Sequence, residues 1–211
     1  MIKGALSAAA LVAGLSLTPV AASAAPIIGG ATAIDITATS TFQSLGYGVA
    51  TYGTASSFTV GSDIVATFLV TGGTRNDSTG SLLVEHAGSG LNFTSGGNTL
   101  SIGDFVIDTA AGLVRGSASA NGFTLGSNLS LFNLGTGSVL TLTNEAAAAF
   151  TTTLGAPSLA GATIGTASPT LVFGPSGVPE PASWGLMIAG VGFVGASLRR
   201  RASRTTRLAA A

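Results

Sequence analysis

Between residues 25 and 177 apolar and polar positions alternate in short runs, separated by Gly, Ser and Asn. This is the period-two pattern of half-buried β-strands. The clearest run, Ile64-Val65-Ala66-Thr67-Phe68-Leu69-Val70-Thr71, is rich in β-branched residues and ends at Gly72-Gly73. Further strands are expected at Ala33–Thr39, Gly46–Tyr52, Ser81–His86, Leu91–Thr94, Thr99–Ile102, Phe105–Thr109, Leu113–Ser119, Gly122–Leu125, Leu129–Leu134, Val139–Thr143 and Thr170–Phe173. So many short strands predict a mainly β body, an antiparallel sandwich or barrel. One stretch breaks the alternation. Asn144-Glu145-Ala146-Ala147-Ala148-Ala149-Phe150, ending near Gly155, has a capping residue, an acid in its first turn and a run of alanines. It predicts one short helix at a sheet end.

The two ends follow different patterns. Residues 1–24 open with Lys3, continue through the apolar run Ala8-Ala9-Ala10-Leu11-Val12-Ala13-Gly14-Leu15, and close on Ala22-Ser23-Ala24. Charge, apolar run and small residues in that order predict a secretory signal peptide. Its helix is handled by the Sec machinery and cut by signal peptidase after Ala24, with Ala22 and Ala24 as the small recognition residues. At the other end, residues 182–198 carry no charge and are followed by Arg199-Arg200-Arg201. Seventeen uncharged residues are at the lower limit for a bilayer span. Pro179 and Pro181 keep the preceding chain out of the helix. Trp184 sits where an interfacial aromatic belongs, and the arginines place the tail, residues 202–211, on the cytoplasmic side.

Pro179-Glu180-Pro181, Trp184, the Gly/Ala-rich apolar span and Arg199-Arg200-Arg201 together resemble the PEP-CTERM sorting signal in its PEPxxWA-type variant. The resemblance covers residues 178–201. It implies a bacterial envelope or extracellular protein whose tail is recognised by exosortase, a membrane protease that acts near the tripeptide. Two positions depart from the pattern: Gly185 follows Trp184 where the variant has Ala, and ten residues follow Arg201.

Composition narrows the partners. Only 8% of the 211 residues are charged and the formal net charge is zero, too few cations for phosphate neutralisation, so nucleic acid is excluded. The neutrality is an average over unlike segments. Five of the eight basic residues lie in the last thirteen positions, whereas seven acids between Asp35 and Glu145 face only Arg75 and Arg115, leaving the body near −5. The absence of cysteine removes disulfides, thiolate metal sites and cysteine nucleophiles.

Candidate chemistry in the body is sparse. It contains no Gly-x-Ser-x-Gly elbow, and His86 is the only histidine, so no catalytic residue is assigned. Asp104 and Asp108, four apart, are placed to share a strand face, as the carboxylates of a hydrolase or a calcium site would. Glu85 and His86 point to opposite faces. Asn76-Asp77-Ser78-Thr79-Gly80 reads as a polar hairpin turn. Asn76, Asn92 and Asn128 each begin an N-x-Ser/Thr acceptor pattern, which suggests exposed loops. The strand entering Glu85-His86-Ala87-Gly88-Ser89-Gly90-Leu91 as a turn, followed by Phe105-Val106-Ile107-Asp108-Thr109, resembles Hta-type exported bacterial domains. That resemblance implies haem capture by His86 with Tyr47 or Tyr52 as an oxygen ligand. No other cofactor and no metal is expected.

The expected organisation is a signal peptide, a secreted β domain over 25–177, a sorting segment over 178–201 containing a transmembrane helix at 182–198, and a basic tail. The expected function is a non-enzymatic surface or matrix role, with exopolysaccharide as the partner of its Thr/Ser/Gly-rich strands. Haem or small-ligand binding and carboxylate-dependent hydrolysis are the alternatives.

Overall fold

The computed structural model describes residues 24–175, 185–195 and 199. The predicted signal helix, the tripeptide Pro179-Glu180-Pro181, Trp184, Arg200, Arg201 and the tail lie outside the described residues. The body is mainly β and antiparallel. Its strands are β1 (Ala24–Ile36), β2 (Gly48–Gly53), β3 (Ser56–Val60), β4 (Asp63–Leu69), β5 (Gly72–Asn76), β6 (Leu82–Ser95), β7 (Asn98–Asp108), β8 (Leu113–Ala120), β9 (Phe123–Leu134), β10 (Val139–Leu142) and β11 (Thr163–Phe173).

The ladder runs β11-β10-β9-β8-β7-β6-β5-β1, and β1 also pairs with β11. The sheet therefore closes on itself as a barrel of eight strands. Closure removes the edges of this eight-strand ladder and gives an interior just wide enough to be filled by side chains. Ile34 and Ile36 from β1, Phe68 from β4, Phe93 from β6, Leu100 and Ile102 from β7 and Leu140 from β10 fill it. β4 and β5 share one register on β1, from Ile36↔Ile64 to Ala24↔Asn76, and act as one interrupted strand. At the end of the barrel where β1 finishes, β3 pairs with β4 and β2 pairs with β6, so these two strands occupy the gap between β4 and β6.

That end is plugged by two helices, α1 (Thr39–Ser44) and α2 (Asn144–Leu154). Phe42 of α1, Phe150 of α2 and Phe93 of β6 meet with ring centroids 4.7 to 6.1 Å apart. α2 matches the expected helix, but its cap is Thr143 rather than Asn144: the Thr143 hydroxyl accepts from the Ala146 N–H at 3.1 Å. Gly155 closes it in the left-handed conformation. Glu145 accepts from the Ser130 N–H at 2.8 Å, tying the first turn to β9.

Several expectations are corrected. The body has a second helix, α1, where Thr39 had been expected to finish a strand. Its sequence, TSTFQS, has weak helical propensity, and burial of Phe42 supplies what propensity does not. The expected runs Ser81–His86 and Leu91–Thr94 are one strand, β6. Thr99–Ile102 and Phe105–Thr109 are likewise one strand, β7, and Gly122–Leu125 with Leu129–Leu134 form β9. Each interruption is a β-bulge, with register shifts at His86/Gly90, Gly103/Val106 and along β9. Gly72-Gly73 begins β5 instead of ending a strand. Of the acceptor asparagines, Asn76 opens a turn as expected, but Asn92 pairs with Ser101 within β6 and β7, and Asn128 lies within β9.

Residues 185–195 are helical, with Leu186, Ile188 and Phe193 exposed. No helix among the described residues is long and apolar enough to cross a membrane. Eleven of the seventeen residues expected to span fall in this described helix.

Candidate functional site

His86 is 1% exposed, on the inner face of β6. Its Nδ1 lies 3.3 Å from the Phe105 carbonyl oxygen and its Nε2 lies 2.8 Å from the Thr32 hydroxyl. A carbonyl only accepts, so Nδ1 carries the proton and Nε2 accepts from Thr32. Burial pushes the imidazole pKa below its usual 6.5, opposed more weakly by the bond to Phe105. Phe68 packs against the ring edge-to-face at 6.4 Å. The cavity beside it has a volume of about 10 Å³ and is lined by Thr32, Ile34, Phe68, Phe105, Ile107, Val114, Phe132, Leu140 and Ala167 together with His86. That is room for about one water molecule.

Tyr52 occupies the opposite face of the sheet. It pairs with Gly90, which pairs with Gly103. The Tyr52 ring lies over both glycines: a Cβ at Gly90 would fall 2.5 Å from Tyr52 Cε1, and one at Gly103 would collide with the phenol oxygen. The two glycines make an aromatic covering of the sheet possible, and it buries both of them although they face outward. The phenol pKa is raised, first by burial and then by the charge of Asp104. Tyr47 lies in the core cluster, its N–H bonded to the Phe42 carbonyl. Both ring nitrogens of His86 are committed to other partners, Tyr52 is across the sheet and Tyr47 does not line the His86 cavity, so these three residues do not converge. The arrangement does not fit a haem.

Asp104 closes the paired bulges of β6 and β7. With φ +50°, it accepts from the Gly88 N–H at 2.8 Å through one carboxylate oxygen and from the Ser117 hydroxyl at 2.8 Å through the other. The expected turn at 85–91 is thus a bulge held from both sides. On its far side Thr71 accepts from the Ala87 N–H and donates to the Glu85 carbonyl. Asp108 accepts from the Ala111 N–H at 2.9 Å and shapes the β7–β8 turn. The two aspartates have separate structural partners. Glu85 is exposed and His86 buried, on opposite faces as expected. Among the described residues, no group of three or more His, Asp or Glu is placed to hold a metal ion.

Thr32 is the site residue that sequence reasoning missed. It lies 54 positions from His86, and only the β1 register brings it under the ring. The Gly103-Asp104 step did carry a signal, a Gly-Asp pair interrupting an alternating run.

The terminal site residues leave from one place. Ala24, the proposed last residue of the signal, is the first residue of β1, and Ile27 pairs with Phe173 near the end of β11. The Gly174 N–H bonds to the Pro26 carbonyl at 2.8 Å. The first and last described residues of the body, 24 and 175, therefore lie at the barrel rim opposite α1 and α2. Arg199 is exposed.

Residues 177–201 match the family model of the PEP-CTERM protein-sorting motif. No curated protein and no solved structure matches the chain. The motif supports an exported, cell-envelope protein with a C-terminal sorting signal, for which exosortase is the recognising partner.

Proposed function

We propose that the chain is an exported, non-enzymatic surface or matrix protein whose barrel is the delivered cargo and whose C-terminal segment is a removable anchor. Residues 1–24 direct export and are cut after Ala24. Residues 182–198 span the membrane as a helix, with Arg199, Arg200 and Arg201 on the cytoplasmic side. Exosortase processes the tail near Pro179-Glu180-Pro181, freeing the domain of residues 25–177 for weak multivalent contact with exopolysaccharide.

The observation that carries this reading is the sorting motif at 177–201, which begins four residues beyond the last barrel strand. The non-enzymatic part rests on the chemistry of the body: a neutral core histidine and two aspartates engaged in bulge and turn hydrogen bonds. The test is expression of the full chain in hosts with and without an exosortase, comparing intact mass. Loss of the segment after the tripeptide only in the exosortase host is the expected result, and an identical intact tail in both overturns the sorting step.

A further inference from the structure

The rim opposite α1 and α2 carries exposed apolar side chains on three adjacent strands, whereas those of the other end, Phe58, Val60, Phe123 and Leu125, are split between β3 and β9. Ile28 is 64% exposed, Val172 52% and Leu69 51%. They lie on β1, β11 and β4, which are hydrogen-bonded neighbours. Gly29 pairs with Val172 and Ala31 pairs with Leu69, so the three sit within two rows of one another on the outer face. Phe173, paired with the buried Ile27, faces the barrel mouth beside this patch, where the Arg75 guanidinium lies 4.7 Å above its ring and is ion-paired with Asp77 at 2.9 Å. From the rim as far as Ala33, the outward positions of these strands are uncharged. The first charge is Asp35, one outward position further along.

Chain length supplies the occupant. Eight residues, 174–181, separate Phe173 from the start of the expected span, and fully extended they reach at most about 29 Å. The patch lies on the strand that continues into the span and is held within that distance of the bilayer. A cluster of exposed apolar groups ending at a carboxylate fits a shallow seat in the lipid interface.

We propose that the barrel stands on the lipid surface by this rim, with Ile28, Leu69 and Val172 against the bilayer and the α1/α2 end directed away. The proposal rests on the reading of 182–198 as a membrane span. It gives the anchored form one orientation, presenting the helical end and the β8–β9 hairpin outward.

Trp184 is the only tryptophan, so fluorescence separates the two readings. The full chain is reconstituted in phosphatidylcholine vesicles whose acyl chains are brominated near the headgroup. The native protein reports on Trp184. In a Trp184→Phe background, Val172→Trp and Ile28→Trp report on the rim, and Phe123→Trp reports on the far end, where Phe123 is 78% exposed. Loss of emission is expected for native Trp184 and for both rim reporters, with Phe123→Trp unchanged. Quenching of Trp184 without quenching at the rim overturns the proposal and leaves the span standing. An unquenched Trp184 overturns the span and the docking with it. Rim emission that is blue-shifted, unquenched and dependent on protein density assigns the patch to a second copy of the chain, which also overturns lipid docking.

Discussion

The Thr32 hydroxyl and the His86 Nε2 are joined at 2.8 Å inside the barrel, and the bond connects β1 to β6, which are not hydrogen-bonded neighbours in the sheet. Thr32→Val preserves shape and deletes the donor, leaving a buried acceptor without a partner. The expected cost is about 1–3 kcal/mol in urea denaturation. Adding His86→Leu to Thr32→Val is expected to cost less than the sum of the two single changes, because the second substitution removes the orphaned group. Strict additivity would show that the bond carries no coupling.

The same histidine sets a pH dependence. Burial lowers its folded pKa below the 6.5 of the free group, so between those values the unfolded chain binds the extra proton. Its contribution to stability is fully present above about pH 6.5 and declines as the pH falls toward the folded value. Thermal midpoints measured from pH 8 to 5 are expected to fall more steeply for the native chain than for His86→Leu. Parallel curves would assign the acid sensitivity elsewhere.

Asp104→Asn keeps the size of the side chain and removes its charge. The Tyr52 phenol is then expected to titrate at lower pH than in the native protein, yet still above 10.0, because burial is the larger cause of its shift. Ultraviolet titration of tyrosinate absorbance measures this, with Tyr52→Phe identifying the signal.

Gly90→Ala places a methyl group against the Ile102 carbonyl oxygen and the Tyr52 ring. Backbone on one side and a ring seated on a second glycine on the other leave it little room. A loss of about 3 kcal/mol is expected, at the upper end of the usual range for overpacking. Combining it with Tyr52→Ala is expected to relieve only the part of the loss due to the ring. Chemical denaturation of the single and double variants gives that part directly.

The C-terminal address was legible in the sequence because sorting peptides are read locally: the tripeptide, tryptophan and arginines carry the same meaning whatever lies before them. The strands were legible by alternation, but their continuity was not. Gly88-Ser89-Gly90 and Gly103-Asp104 have the composition of turns, and only a partner strand decides whether such residues reverse the chain or bulge within it. β5, with sequence GGTRN, has no strand character of its own and is held by β1 and β6. α1 is helical because Phe42 reaches Phe93 and Phe150, a condition no local window contains. For His86 the strand and face were readable, while its partner across the barrel was not.

The pairing of β1 with β11 makes the first and last strands of the barrel neighbours. A barrel with this connectivity cannot close while the chain is still arriving: the ring stays open until residues near Phe173 have emerged, and the contact that completes it has the longest sequence separation in the fold. Closure of this kind is slow because loop entropy is lost before the contact forms. For an exported chain entering N-terminus first, closure therefore waits until β11 has crossed.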